Sequence, residues 1–348
     1  MIRISVGTAS IMGMNELRQK EVPTTGYVML GENCVYNCFF CNQGKNSYGS
    51  KDKLSRVTWP SCDFESFKQG LIVGEKNGLR RLCIQEVTTR DKNFKELRNN
   101  IISVVNKETS LPISLSSNVM NLKDVEELFE TGVEKLGISL DVCNPTRYKE
   151  YKGGSYEARL DLIKAAAERF PGKVSTHIIV GLGESDRELL WTIDKLANSG
   201  VNIALFAFTP LKGTPLSNHN PPNVLRYRKI QAASYLIVNQ LISFEQLIFS
   251  IPSPGCCDVK SDENDCLVGI DISLENFKAW LSQGDAFKTT GCLDCNRPYY
   301  NERPGATPFN FPGQLKEEES KTAHDLLISN LNFSPQKLPG KVKSAPGG

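Results

Sequence analysis

The chain has 348 residues, 40% of them hydrophobic and 23% charged, with a formal net charge of +2. That composition suits a globular protein with a sizeable core, and the near-neutral balance gives no electrostatic ground for nucleic-acid or acidic-membrane binding. No stretch approaches the roughly 18 consecutive apolar residues of a membrane helix. The opening residues, MIRISVGTASIMGMNELRQKEV, lack the layout of a signal peptide, so a cytoplasmic location is expected.

Residues 1–24 form an N-terminal segment, and from there to about residue 250 short β-branched runs alternate with helical patterns. Strands are predicted near Tyr27–Gly31, Leu79–Gln85, Pro112–Ser116, Val133–Leu140, Lys173–Val180 and Ala204–Phe208. Helices follow near Phe64–Lys76, Asn93–Val105, Leu122–Thr131, Tyr156–Arg169, Asp186–Asn198 and Pro222–Leu241. Six strand–helix units in series imply an α/β fold with a parallel sheet, and right-handed crossovers curl it into a partial (β/α)6 barrel. Ligands then belong at the C-terminal ends of the strands. Polar or Cys-rich loops stand at those ends, including Gln85–Glu86, Ser116–Asn118, Asp141 and Gly181-Leu-Gly-Glu184.

Residues 251–313 are rich in Cys, Gly, Pro and Asn and read as an extension covering the barrel mouth. Residues 314–348 read as a charged helix and a disordered tail. Eleven cysteines, an odd number in a large chain, argue for metal ligation rather than a disulfide framework.

The loop after the first predicted strand carries Cys34-Val-Tyr-Asn-Cys38-Phe-Phe-Cys41. Three thiolates at this spacing can wrap a [4Fe-4S] cluster while leaving one iron open, since a cubane takes one thiolate per iron. Structural zinc is the competing reading, but it requires four ligands, and no His or Cys close behind Cys41 completes the set.

This segment resembles the signature of the radical S-adenosylmethionine (SAM) superfamily, including the aromatic before the last cysteine. The resemblance implies that the open iron holds the methionine part of SAM and that the bound pair generates a 5′-deoxyadenosyl radical. It places Phe40 near the adenine and Glu86 on the methionyl amine, although Ile84-Gln85 stand where the family has two glycines. Ile179 and Leu182 resemble the strand end that packs on the adenine. Ser139 and Asp141 resemble positions that hold substrate and the SAM ribose. For Asp141 a helix N-cap before Asn144–Tyr148 is the plain alternative.

Within the superfamily the chain resembles biotin synthase and lipoyl synthase. Cys83 matches one ligand of the second cluster of biotin synthase, but Ser114 and Ser175 stand at the other two positions, and serine is a poor ligand there. Cys83 is then readable as a small buried hydrophobe. The block Thr289-Thr-Gly-Cys292-Leu-Asp-Cys295-Asn-Arg-Pro resembles the ending of the two-protein lipoyl synthases. It implies a second, sacrificial iron–sulfur cluster at Cys292 and Cys295, with Cys256, Cys257 and Cys266 as possible further ligands and a zinc knuckle as the alternative. The resemblance also implies an octanoylated lipoyl-carrier protein as substrate, a paralogous radical SAM partner protein, and a ferredoxin or flavodoxin as electron donor. Two other functions remain open on this evidence. One is a mutase or lyase acting on a small amino acid. The other is a non-catalytic iron–sulfur scaffold.

Overall fold

The computed structural model describes residues 1–250, 265–298, 300–301 and 305–335. Strand β1 (Ile2–Ile4), helix α1 (Val6–Ile11) and strand β2 (Thr25–Leu30) open the chain. Short strands β3 (Lys53–Leu54), β4 (Val57–Thr58) and β5 (Ser61–Cys62) follow the cysteine loop. The alternation then runs α2 (Phe64–Lys76), β6 (Arg81–Glu86), α3 (Phe94–Glu108), β7 (Ile113–Ser116), α4 (Leu122–Glu130) and β8 (Lys135–Gly137). It continues through α5 (Pro145–Tyr151), α6 (Tyr156–Arg169), β9 (Val174–Val180), α7 (Asp186–Asn198), β10 (Asn202–Ala207) and α8 (Val224–Val238). The boundaries follow local chemistry. Asp63 caps α2, Ser185 and Glu188 form a capping box on α7, and Gly132 and Gly200 take positive φ just past α4 and α7.

Strands β2, β6, β7, β8, β9 and β10 lie parallel in chain order, as the repeated pattern implied. Beyond β2 the N-terminal segment adds β1, antiparallel, and β5 pairs with β1 in turn. Side chains alternate across the sheet. Val28, Leu30, Leu82, Ile84, Leu115 and Ile178 fill the layer under the helices. Their neighbours Tyr27, Cys83, Ser114, Ser175, His177 and Phe206 line one internal cavity, so β2 and β10 curl toward a shared lumen.

The described part of the extension does not sit as a cap over the strands' C-terminal ends. Strands β11 (Leu247–Ser250), β12 (Cys266–Ile270) and β13 (Asn332–Phe333) form a small sheet, with helices α9 (Leu274–Leu281) and α10 (Glu317–Ile328) beside it. The described residues between 289 and 310 then follow the free edge of β10. Thr290 Oγ1 accepts the Leu205 N–H at 2.9 Å, and Asn301 Nδ2 donates to the carbonyl of Ala207 at 2.9 Å. The Asp294 carbonyl takes the hydroxyls of Thr24 and Thr25, and Arg81 Nε donates to Leu293 O, all at the N-terminal ends of β2 and β6. The extension therefore closes the lateral seam and the floor of the barrel. Its reason is physical: the edge strand of an incomplete barrel exposes backbone groups that need partners.

A buried ion cluster joins these parts. Arg226 on α8, 1% exposed, donates to Asp186 at 2.8 Å and to Glu184 at 3.1 Å. Glu184 accepts the N–H groups of Gly181 and Leu182, and Asp186 accepts that of Leu267 on β12. Removing one member of a buried ion pair strands its partners' charge. Arg226→Ala is therefore expected to lower the unfolding free energy by about 3–5 kcal/mol, read by chemical denaturation.

Candidate active site

Cys34, Cys38 and Cys41 stand on the loop after β2, half-buried and free. Backbone hydrogen bonds fix the loop: Val35 N–H to Thr88 O at 2.9 Å and Phe39 N–H to Tyr151 O at 3.0 Å. Gly44 closes it, because a Cβ there would lie 3.1 Å from the carbonyls of both Cys38 and Cys41. Phe40 is half-buried against the core, and Phe39 meets Tyr151 with ring centroids 5.7 Å apart.

The next strand ends bring charge to this loop. Asp141 takes a left-handed backbone, φ 65°, and its carboxylate lies 2.8 Å from Lys152 Nζ. Lys152 also donates to the carbonyls of Ser139 and Leu140. Burial pulls the Lys152 pKa down, but Asp141, Tyr148 and Cys38 together push it up and the net shift is upward, so the ammonium persists. The N-cap of α5 is Asn144, which removes the plain structural role for Asp141. Ser139 Oγ lies 3.2 Å from His177 Nδ1, and burial lowers His177 to about 4, leaving a neutral imidazole. Ile179 is half-buried and Leu182 buried at the end of β9.

A second group of thiols lines the internal cavity of the barrel. Cys292 and Cys295 of the extension line the internal cavity together with Cys83 of β6, and all three are free. Cys83 pairs in register with Tyr27 on one side and Ser114 on the other. The Tyr27 hydroxyl is 3.6 Å from Cys295 Sγ, and Ser114 Oγ donates to Cys292 Sγ at 3.4 Å. Cys266 is disulfide-bonded, so it is no candidate ligand, and Cys256 and Cys257 lie outside the described residues.

Comparisons with known proteins agree with this geometry. The family model of the Radical SAM superfamily matches residues 28–196. A biotin synthase of Acetivibrio thermocellus is 26% identical across 56% of this chain and 60% of its own length. One from Clostridium perfringens is 30% identical across 55% and 58%. An uncharacterized protein of Methanocaldococcus jannaschii is 26% identical across 64% and 55%. The chain thus spans 55–60% of the length of these relatives. Among solved structures, HydG, a maturase of the [FeFe]-hydrogenase, superposes with a TM-score of 0.50 at 14% identity, covering 61% of this chain and 48% of its own. That last likeness speaks for the fold. Residues 28–196 thus match the radical SAM superfamily.

The residues present fit the cluster and SAM of a radical SAM protein. Burial pushes the Cys38 thiol up to about 12 and the Cys41 thiol to about 11, so both carry protons when unligated and lose them on coordinating iron. Lys152, which draws the Cys38 value back down, supplies positive charge beside the loop. Among the described residues no three His, Cys, Asp or Glu side chains close on a single ion, at either thiol group. Cysteines that each hold a different iron of a cluster stand further apart than ligands of one zinc.

The expected role of Glu86 does not survive. Strand alternation turns Gln85 into the lumen, where it donates to Cys83 Sγ at 3.0 Å, and turns Glu86 outward. The Glu86 carboxylate is 5% exposed and faces Arg98 of α3; its Oε1 lies 3.6 Å from Nη1 and, among the described residues, that oxygen has no hydrogen-bond partner. Burial raises its pKa, and Ser117 and Arg98 oppose that shift. Sequence reasoning also passed over Lys152 and His177. The lone histidine within the β9 alternation was a readable signal, whereas nothing local marks Lys152. Glu86→Ala is expected to leave SAM affinity unchanged in equilibrium binding while lowering Tm, because Arg98 loses its buried counter-charge. A loss of SAM affinity with an unchanged Tm would restore the original assignment.

Proposed function

We propose that this chain is a radical SAM sulfur-insertion enzyme, a lipoyl synthase component acting on a protein-bound octanoyl chain. The observation that carries the reading is the presence of two thiol groups on one barrel, Cys34, Cys38 and Cys41 on the loop after β2 and Cys292 with Cys295 lining the internal cavity, with Tyr300 of that cavity close enough to feel both Cys41 and Cys83. When bound, the first cluster and SAM supply hydrogen abstraction from unactivated carbon, and a second cluster supplies the sulfur. A mutase or lyase needs no sacrificial sulfur, and a scaffold has no use for the charged groups at the strand ends.

The chain's own residues position and shield. Asp141, held by Lys152, orients the SAM ribose, and Ser139 and the neutral His177 border the substrate's reacting end. Phe40, Ile179 and Leu182 offer apolar surface to the adenine. Between the two thiol groups the lumen presents Phe206 and Tyr300, whose rings meet edge to face at 5.4 Å. Such a lining suits an extended hydrocarbon and excludes water from the reacting carbon. The relatives that bear the name biotin synthase support sulfur chemistry. Octanoylated lipoyl-carrier protein is the proposed substrate. A paralogous radical SAM protein is the proposed partner, and ferredoxin or flavodoxin the electron donor. A reducing cytoplasm suits oxygen-sensitive clusters.

The test is anaerobic reconstitution followed by mass spectrometry of an octanoyl-lysine peptide or carrier incubated with SAM, reductant and the partner protein. Mass gains corresponding to inserted sulfur are expected with the parental chain. Cys38→Ala should make no 5′-deoxyadenosine, and Cys292→Ala/Cys295→Ala should make it but insert no sulfur. Sulfur insertion by the double variant at the parental rate defeats the proposal. Asp141→Ala should weaken SAM binding by about 1–3 kcal/mol, the cost of a charged hydrogen bond, measured by equilibrium titration.

A further inference from the structure

We infer that Cys83 completes the ligand set of the second cluster, which is therefore held inside the barrel by Cys83, Cys292 and Cys295 rather than by the extension alone. The inference rests on the reading that Cys292 and Cys295 bind a cluster, and it adds the third thiolate and the place. Those two cysteines form only half of a site, and Cys266, the described alternative in the extension, has its sulfur in a disulfide.

The rung of the sheet carrying Cys83 fixes the geometry. Tyr27, Cys83 and Ser114 are register neighbours on β2, β6 and β7, about 4.8 Å apart from strand to strand. The outer two residues each contact one extension thiol, Tyr27 meeting Cys295 and Ser114 meeting Cys292. Cys83 lies between them with its sulfur turned into the same cavity, so the three thiols form a triangle around one space. Positions 114 and 175, where a strand-borne ligand set would need cysteine, hold serines in that cavity, and the extension delivers two thiols in their stead.

Two further observations fit a negatively charged, sulfur-rich occupant. The guanidinium of Arg297 and that of Arg81 both border the cavity. Trp59, 1% exposed, lines it as well, and among the described residues its indole N–H has no hydrogen-bond partner. A buried unsatisfied donor is costly, and a bridging sulfide or cysteine sulfur would satisfy it. Three thiolates on a four-iron cluster leave one iron open, as at the first site.

The experiment isolates the second cluster. In full-length Cys34→Ala/Cys38→Ala/Cys41→Ala protein, reconstituted anaerobically, about half of the parental iron and sulfide should remain if each cluster has four irons. Adding Cys83→Ala or, as the gentler change, Cys83→Ser should remove that remainder and its electron paramagnetic resonance signal after reduction. Circular dichroism should stay unchanged, since Cys83→Ser places a third serine in a cavity that already holds two. Adding Cys143→Ala, a buried free thiol outside the cavity, should leave iron and signal intact. Unchanged iron and an unchanged signal in the folded Cys83→Ser protein would overturn the inference. So would stoichiometric zinc without sulfide at this site. The readout does not involve the octanoyl substrate: a failed sulfur-insertion assay with a Cys83-dependent cluster rejects the substrate reading alone, and the converse result rejects the ligand set alone.

Discussion

The unpaired edge of β10 is the constraint from which the rest of the arrangement follows. A sheet of parallel strands that curls without closing leaves backbone N–H and C=O groups along a seam, and buried groups of that kind need partners. Here they are met by side chains and not by another strand. Thr290, Arg297, Asn301 and Asn310 reach the backbone of Leu205 and Ala207 from the extension. Because the seam runs the height of the barrel, the segment that fills it also meets the floor, where Leu293 and Asp294 lock onto Arg81 and the Thr24–Thr25 pair. Sealing the seam is thus what carries Cys292 and Cys295 inside.

The lumen so formed has two chemically different ends. Near the mouth, the thiols of the signature loop lie beside the Lys152–Asp141 pair, and the backbone there is strained at Asp141. Left-handed conformation in a non-glycine residue is retained where surroundings over-determine it, which is common at functional sites. At the floor, thiols, hydroxyls and guanidinium groups crowd a closed space. Neutral and aromatic surface separates the two ends: burial holds His177 uncharged, and Phe206 stacks against both His177 and Tyr300.

Stability and site are coupled through charge as well. The loop Gly181–Glu184 owes its shape to a fully buried glutamate that takes two backbone N–H groups and one arginine. The same arginine holds Asp186, and Asp186 holds β12 of the extension. The glutamate of this Gly-rich turn is therefore a strut, and the site inherits its rigidity from the contact between barrel and extension.

How much of this was legible in the residues depends on the range of the interaction. Period-two and helical patterns and the Cys-x3-Cys-x2-Cys spacing are local, and the patterns marked the parallel strand–helix order correctly. A residue's face on a strand end is decided by register and by the helix above it, which is why Glu86 was assigned to SAM when it turns toward Arg98. The direction taken by the described part of the extension is set by backbone groups of β10 that carry no sequence signal, so a cap over the mouth was expected where the described residues fill the seam and meet the floor. Cys83 shows the limit most plainly. By sequence it is a small apolar position in a buried strand, 209 residues from Cys292. Only the tertiary structure brings the two thiols to one cavity, because ligand sets assembled across a barrel depend on which strands neighbour each other and not on spacing along the chain.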